Sequence, residues 1–265
     1  MGFPGRVYGW FGDEKVAQST KINGFPLGIR MELPDGREFV QAKAGTAATL
    51  GAGTLVQAPN WAGTAAADTA ASQGNLTCAS AVVGATSLTI TAGGTTAFVK
   101  DEFADGYVVV ASSAGTGIGH IYKIKLNNSA AAGATCLFKL YENDSVKVAI
   151  EGGTTKVGVR TNEYHRVIVM TADTVYTGPP AGVPPVAVSA GFYCWLQRKG
   201  VAPLKSGATV LIAGEPVVAS TATVAGVGHI MAGSAQVDIK SKVPIGYAMA
   251  TALSAGFATV FLTLP

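Results

Sequence analysis

Residues 119–126 read Gly-His-Ile-Tyr-Lys-Ile-Lys-Leu. Tyr122, Ile124 and Leu126 fall on one side of an extended chain, and Lys123 and Lys125 on the other. That is the period-2 signature of an antiparallel strand with one face buried and one in water. Similar short runs extend in both directions: residues 106–112 (GYVVVAS), 135–141 (TCLFKLY), 145–150 (SVKVAI), 163–170 (EYHRVIVM), 208–212 (ATVLI), 235–239 (AQVDI) and 259–264 (TVFLTL). Each is rich in β-branched or aromatic residues and bounded by turn formers. Pro34-Asp35-Gly36 and Asp105-Gly106 supply the positive-φ residues that tight hairpins need. Roughly 15 or more such strands, spaced 8–12 residues apart, predict an all-β fold with an antiparallel sandwich or barrel-type domain.

Helix signals are sparse. Alanine comes mixed with Gly, Thr and Ser rather than with Glu, Lys and Leu, and only residues 62–71 offer a run that a helix could use. Residues 1–25 are rich in glycine and aromatics and predict an extended N-terminal arm, leaving residues 26–265 to the β domain or domains. Residues 44–97 form a low-complexity Ala/Gly/Thr-rich insertion. Residues 178–185 (GPPAGVPP) predict a stiff, extended connection and a possible sub-boundary, because each proline fixes φ and removes a hydrogen-bond donor.

Composition narrows the function classes. Of 265 residues, 13% are charged and 48% hydrophobic, with a net charge of +3 and a mean hydropathy of +0.34. Those values fit a folded chain rather than a disordered one, and +3 is too small for a nucleic-acid footprint. Every apolar stretch is interrupted well short of the ~20 residues that a membrane helix requires. The first 15 residues lack the apolar core of a signal peptide, so folding in a cytoplasm is expected. Cys78, Cys136 and Cys194 lie 58 residues apart, a spacing that suggests neither a disulfide framework nor a zinc knuckle, and they read as small buried hydrophobes.

No pattern singles out catalysis, a cofactor or a metal. Gly115-Thr116-Gly117-Ile118-Gly119-His120 misses the last glycine of a dinucleotide fingerprint and precedes a strand where that fingerprint needs a helix, so it reads as a glycine-rich hairpin. His120, His165 and His229 are far apart, whereas structural zinc ligands come in close pairs. His165 alternates with Arg166 and is expected on a solvated strand face. Cys194 has no neighbouring cation to activate it. Phe192, Cys194 and Leu196 alternate with Tyr193, Trp195 and Gln197, which predicts a core strand with Trp195 buried.

Four segments, taken in order, resemble a known family. Pro26-Leu27-Gly28-Ile29-Arg30 followed by Asp35-Gly36-Arg37-Glu38-Phe39 is similar to the opening "D-G-R-x-F" hairpin of tailed-phage head structural proteins. Asp105–Val110 with Gly115–Ile124 resembles that family's "G-Y-L-x-V … G-x-G-x-x-Y-x-I" hairpin. Gly191–Ala202 resembles its "G-x-Y-x-W-x-Q-x-x-G-x-A" strand, with Cys194 where glycine is common, and Ile245–Ala248 with Thr259–Leu264 its closing pair. The resemblance implies a non-enzymatic capsid decoration or cement protein, made in the host cytoplasm and bound to the major capsid protein on the virion surface. It also implies a closed homo-oligomer, a trimer in preference to a dimer.

Within that reading Phe3, Tyr8, Trp10 and Phe11 are the candidate capsid or subunit contacts. Four aromatics on an arm that cannot form its own core need a partner surface, and the arm is expected to become fixed only where they dock. The rival expectation is a tail or fibre protein binding host glycans, which would show an exposed aromatic platform near a carboxylate.

Overall fold

A computed structural model describes residues 5–47, 49–59, 72–111, 114–170, 178–207, 211–219, 226–230, 244–251 and 256–265. Among the described residues the fold is nearly all β, with two short 3-10 turns as its only helical pieces. In order, β1 is Arg6–Tyr8, β2 Ala17–Gln18, β3 Arg30–Glu32, β4 Glu38–Ala44, β5 Val56–Gln57 and β6 Ser72–Thr77. Next come β7 Ser87–Thr91, β8 Tyr107–Val110, β9 Ile121–Asn127, β10 Thr135–Leu140, β11 Lys156–Arg160 and β12 His165–Val169. The chain continues with β13 Pro180–Gly182, β14 Tyr193–Lys205, β15 Pro216–Ala219, β16 Gly228–Ile230, β17 Gly246–Ala248 and β18 Phe257–Thr263. Residues 62–71, 208–210 and 235–239 lie outside the described set.

The strands fall into two compact units: residues 1–59 with 163–265, and residues 60–162. The proline-rich stretch 178–185 lies inside the first. There Pro180–Gly182 is extended, as its composition predicts, and pairs with β5 at the end of the sheet. A sheet terminus tolerates the donors that proline lacks.

The second unit is one sheet in the order β6-β11-β8-β9-β10-β7. A bridge from Cys78 to Ile90 joins its two end strands, curling the sheet around its core. Phe98, Phe103 and Phe138 fill that core, with Phe98 edge-on to both of the others at 5.5 and 5.2 Å. The alternation in β9 holds at Tyr122 and Ile124 and then slips. A bulge opposite Lys139/Leu140 leaves Leu126 half-buried and turns Asn127 inward. Asn127 is fully buried and satisfied there, donating to Val99 O (2.8 Å) and Asn128 O (2.7 Å) and accepting from Phe103 N (2.9 Å). Residues 145–150 differ from expectation: they form no strand. Val146 and Ile150 are buried, but Lys147 N is drawn to the Tyr122 hydroxyl (3.3 Å), and only Ile150 bridges Ala81.

The first unit is a sheet whose main path is β13-β5-β12-β4-β14-β18-β17-β15-β16, with β1, β2 and β3 attached. Ladders are antiparallel apart from β1 with β3 and β12 with β4. His165 corrects the sequence expectation of a solvated face: it is buried. β12 lies between β4 and β5, and a bulge at Arg166 (φ 62°) interrupts the simple in-and-out alternation.

The first half of β14 is covered on both faces. Cys194 and Leu196 pack with Val40, Ala42 and Val167, while Trp195 joins Ile22, Ile29, Met31, Leu33 and Phe39. Trp195 is therefore a core residue, as its strand pattern predicts.

Candidate functional site

The arm is built onto the first unit by its own chain. β1 runs parallel to β3, and Gly9 N donates to Glu32 O at 3.0 Å. Arg6 forms ion pairs with Glu32 and, at 3.7 Å, with Glu38. Gly9 leaves room for the Met31 side chain, since a Cβ there would stand 2.6 Å from Met31 Sδ and push it aside. The chain then turns: Trp10 N donates to Asp13 Oδ2 (2.8 Å), and Asp13 N returns a bond to Trp10 O (3.1 Å). β2 finally pairs with Tyr193 and Cys194 of β14.

A buried carboxylate locks this turn. Glu14 accepts from Gly12 N at 2.6 Å and lies 3.7 Å from the Arg37 guanidinium. Arg37 also bonds Asp35 at 2.7 Å and sits over the Phe39 ring, 5.6 Å from its centroid. Gly36, at φ 80°, closes the hairpin that presents Arg37. The Asp35-Gly36-Arg37-Glu38-Phe39 segment thus has a physical task, holding the arm's turn to the sheet. This differs from the expected strap that becomes fixed only on docking, because pairing with β3 and β14 orders residues 6–18 without a partner.

The turn presents its aromatics to solvent: Tyr8 is 81% exposed, Trp10 75% and Phe11 62%. Phe3 lies outside the described residues. Beneath Tyr8 is a cavity of about 300 Å³, floored by Met31 and Trp195 and edged by Asp13, Gln18 and Asn23. The arrangement supplies apolar contact area with one carboxylate beside it and brings no nucleophile–base pair together.

Elsewhere, local structure accounts for the residues the sequence singles out. The 115–120 loop joins β8 to β9 with Gly115, Gly117 and Gly119 at positive φ, and Thr155 occupies its concavity, accepting from Thr116 N at 3.1 Å. His120 stacks against Tyr122 at 6.2 Å, and His229 lies in β16 opposite Val218. Among the described residues no group of three or more His, Cys, Asp or Glu side chains could hold a metal ion. All three cysteines are free and buried. Burial pushes the Cys78 thiol up to about 11 and the Cys194 thiol up to about 12, which keeps both protonated and unreactive. No helix among the described residues is long and apolar enough to cross a membrane.

Comparison with protein-family models, with curated proteins and with solved structures found no match.

Proposed function

We propose that this chain is a structural protein of a tailed-phage virion, a capsid decoration or cement protein that binds the outer surface of the major capsid lattice and stabilises it without catalysis. The observation that carries the reading is the outward display of Tyr8, Trp10 and Phe11 on a turn pinned by Glu14 and Arg37. Exposed aromatics on an ordered scaffold lose little conformational freedom on docking, and each buries about 150–250 Å². The protein acts as a closed homo-oligomer, a trimer, so that several arms engage the shell together.

The test is to add wild type and a Tyr8→Ser/Trp10→Ser/Phe11→Ser variant to undecorated heads and measure occupancy. The expected result is a folded variant with an unchanged melting temperature and at least tenfold weaker attachment. Equal occupancy refutes the role of the arm.

A second reading, a tail or fibre protein that binds host glycans, is favoured by one observation: the exposed Tyr8 and the Asp13 carboxylate line one cavity of about 300 Å³, with the exposed Trp10 next to them, its amide bonded to that carboxylate. Aromatic faces and carboxylates are the groups that hold sugar rings and their hydroxyls. A glycan array gives binding that Trp10→Ser abolishes if this reading holds, and no binding if the capsid reading does.

A further inference from the structure

The last strands of the first unit carry their side chains in an unusual order of size. Facing the core are Gly200, Ala202 and Leu204 of β14, Ala258, Val260 and Leu262 of β18, and Gly246 and Ala248 of β17. Facing out are the larger groups: Phe257 (61% exposed), Phe261 (40%), Tyr247 (51%) and Val201. A sheet with only one apolar partner layer places its bulk inward and polar residues outward. Here glycine is obligatory on the inner side, because a Cβ on Gly246 would collide with the Phe261 carbonyl oxygen.

The outward residues are also in register. Val201 pairs with Phe261, Phe261 with Tyr247, and Tyr247 with Pro216. Directly opposed residues share a face, so one apolar row crosses four consecutive strands. Met249 N bonds to Thr259 O (2.8 Å), which brings the exposed Met249 alongside that row.

We infer that this outer face of β14, β18, β17 and β15 is covered by a second copy of the chain. Phe257, Phe261, Tyr247, Met249 and Val201 together expose apolar area on the order of 500 Å², at the upper end of what a soluble monomer shows. A standard interface needs about 800 Å² per partner, roughly two-thirds of it apolar between identical subunits. The area of this face therefore meets the apolar requirement of a subunit contact. Its chemistry fits no other occupant as well. The paired outward residues of β14 and β18 include Lys199, Lys205, Thr259 and Thr263, and the carboxylate beside them, Glu38, is already engaged by Lys199 at 2.9 Å and by Arg6 at 3.7 Å rather than left to hold a sugar. Two lysines are too few for a phosphate backbone. The inference rests on the oligomer in the proposed function and names the surface that closes it; the arm is a separate surface.

Sedimentation velocity on the full chain between 1 and 100 µM is the test, with Phe261→Ser and Tyr247→Ser as variants and Phe257→Ser as a third that leaves the central row intact. The expected result is an oligomeric wild type, monomeric Phe261→Ser and Tyr247→Ser proteins, and melting temperatures for the dissociated variants that no longer depend on concentration. A wild type that stays monomeric across the range overturns the inference, as does a folded Tyr247→Ser protein that retains the wild-type oligomer. Binding of a monomeric wild type to phosphatidylcholine vesicles also overturns it, by assigning the face to lipid. Head occupancy measured on the same samples separates the two proposals: loss of the oligomer with residual attachment keeps the capsid reading, and an intact oligomer that never binds heads removes that reading alone.

Discussion

Replacing Trp195 with alanine removes the largest side chain from the layer between the arm and the sheet. The indole packs with Ile22, Ile29, Met31, Leu33 and Phe39 and is 2% exposed. Truncating a buried tryptophan costs about 3–5 kcal/mol, from lost transfer free energy and from the void left behind. The void joins the existing cavity beneath Tyr8, where water can enter, which places the cost toward about 3 kcal/mol. At about 2–4 °C per kcal/mol for a unit of this size, the midpoint falls by about 6–12 °C. Differential scanning calorimetry of wild type and variant at one protein concentration reads this directly. A midpoint within 2 °C of wild type, accompanied by lost binding to a ligand, would show that Trp195 serves recognition, and the packing argument would fail.

Glu14→Ala removes the carboxylate that holds the arm's turn, so trypsin is expected to cut after Lys15 at least several-fold faster while the sheet stays intact; limited proteolysis followed by mass spectrometry checks it. Asn127→Ala leaves the Phe103 amide and the Val99 and Asn128 carbonyls without their buried partner, at a cost of about 2–4 kcal/mol, measured as a lowered urea midpoint with an unchanged m-value. Burial, and then its hydrogen bond to Asp105 (2.5 Å), raise the Tyr141 phenol above its ordinary value. A group whose folded pKa is raised contributes stability below its unfolded value, near pH 10, and loses it as pH climbs toward the folded one; thermal melts between pH 8.5 and 11 are expected to fall, with a shallower slope in Tyr141→Phe. The three thiols are expected to resist Ellman's reagent at pH 8 until the chain is unfolded, and prompt labelling of Cys194 in the native protein would contradict its burial.

Much of the β architecture is legible in the sequence because period-2 patterning and turn chemistry act within a few residues. The strand around Tyr122 and Ile124, the Asp35-Gly36 hairpin and the glycine turns before β9 all follow from local rules. What escapes local reading is set by the partner strand. The bulge opposite Lys139/Leu140 turns Asn127 inward, and the neighbours of β12 bury His165. The candidate site was half visible: four aromatics among glycines mark the arm, but nothing local reveals that Glu14 would meet Arg37 across 23 residues of chain. An acid in the arm facing the arginine of a D-G-R hairpin is the signal that could have found it. The outward row of β18 was equally hidden, because Phe-Ala-Thr-Val-Phe-Leu-Thr alternates apolar residues on both sides and only the fold decides which side meets the core.

The division of the chain also sets a timetable. The second unit is continuous, so its last strand, β11, leaves the ribosome within about 100 residues of its first. The first unit is interrupted: β4 pairs with β12 and β14, and β14 is synthesised about 150 residues after it. The hairpin with β3 covers one edge of β4 at once, but at roughly 5–20 residues per second the edge that receives β14 stays open for about 8–30 s. During that interval each nascent chain is a template for its neighbours on the same message. Slower initiation, which spaces ribosomes further apart, should therefore raise the recovered yield of this protein more than any change made within residues 60–162.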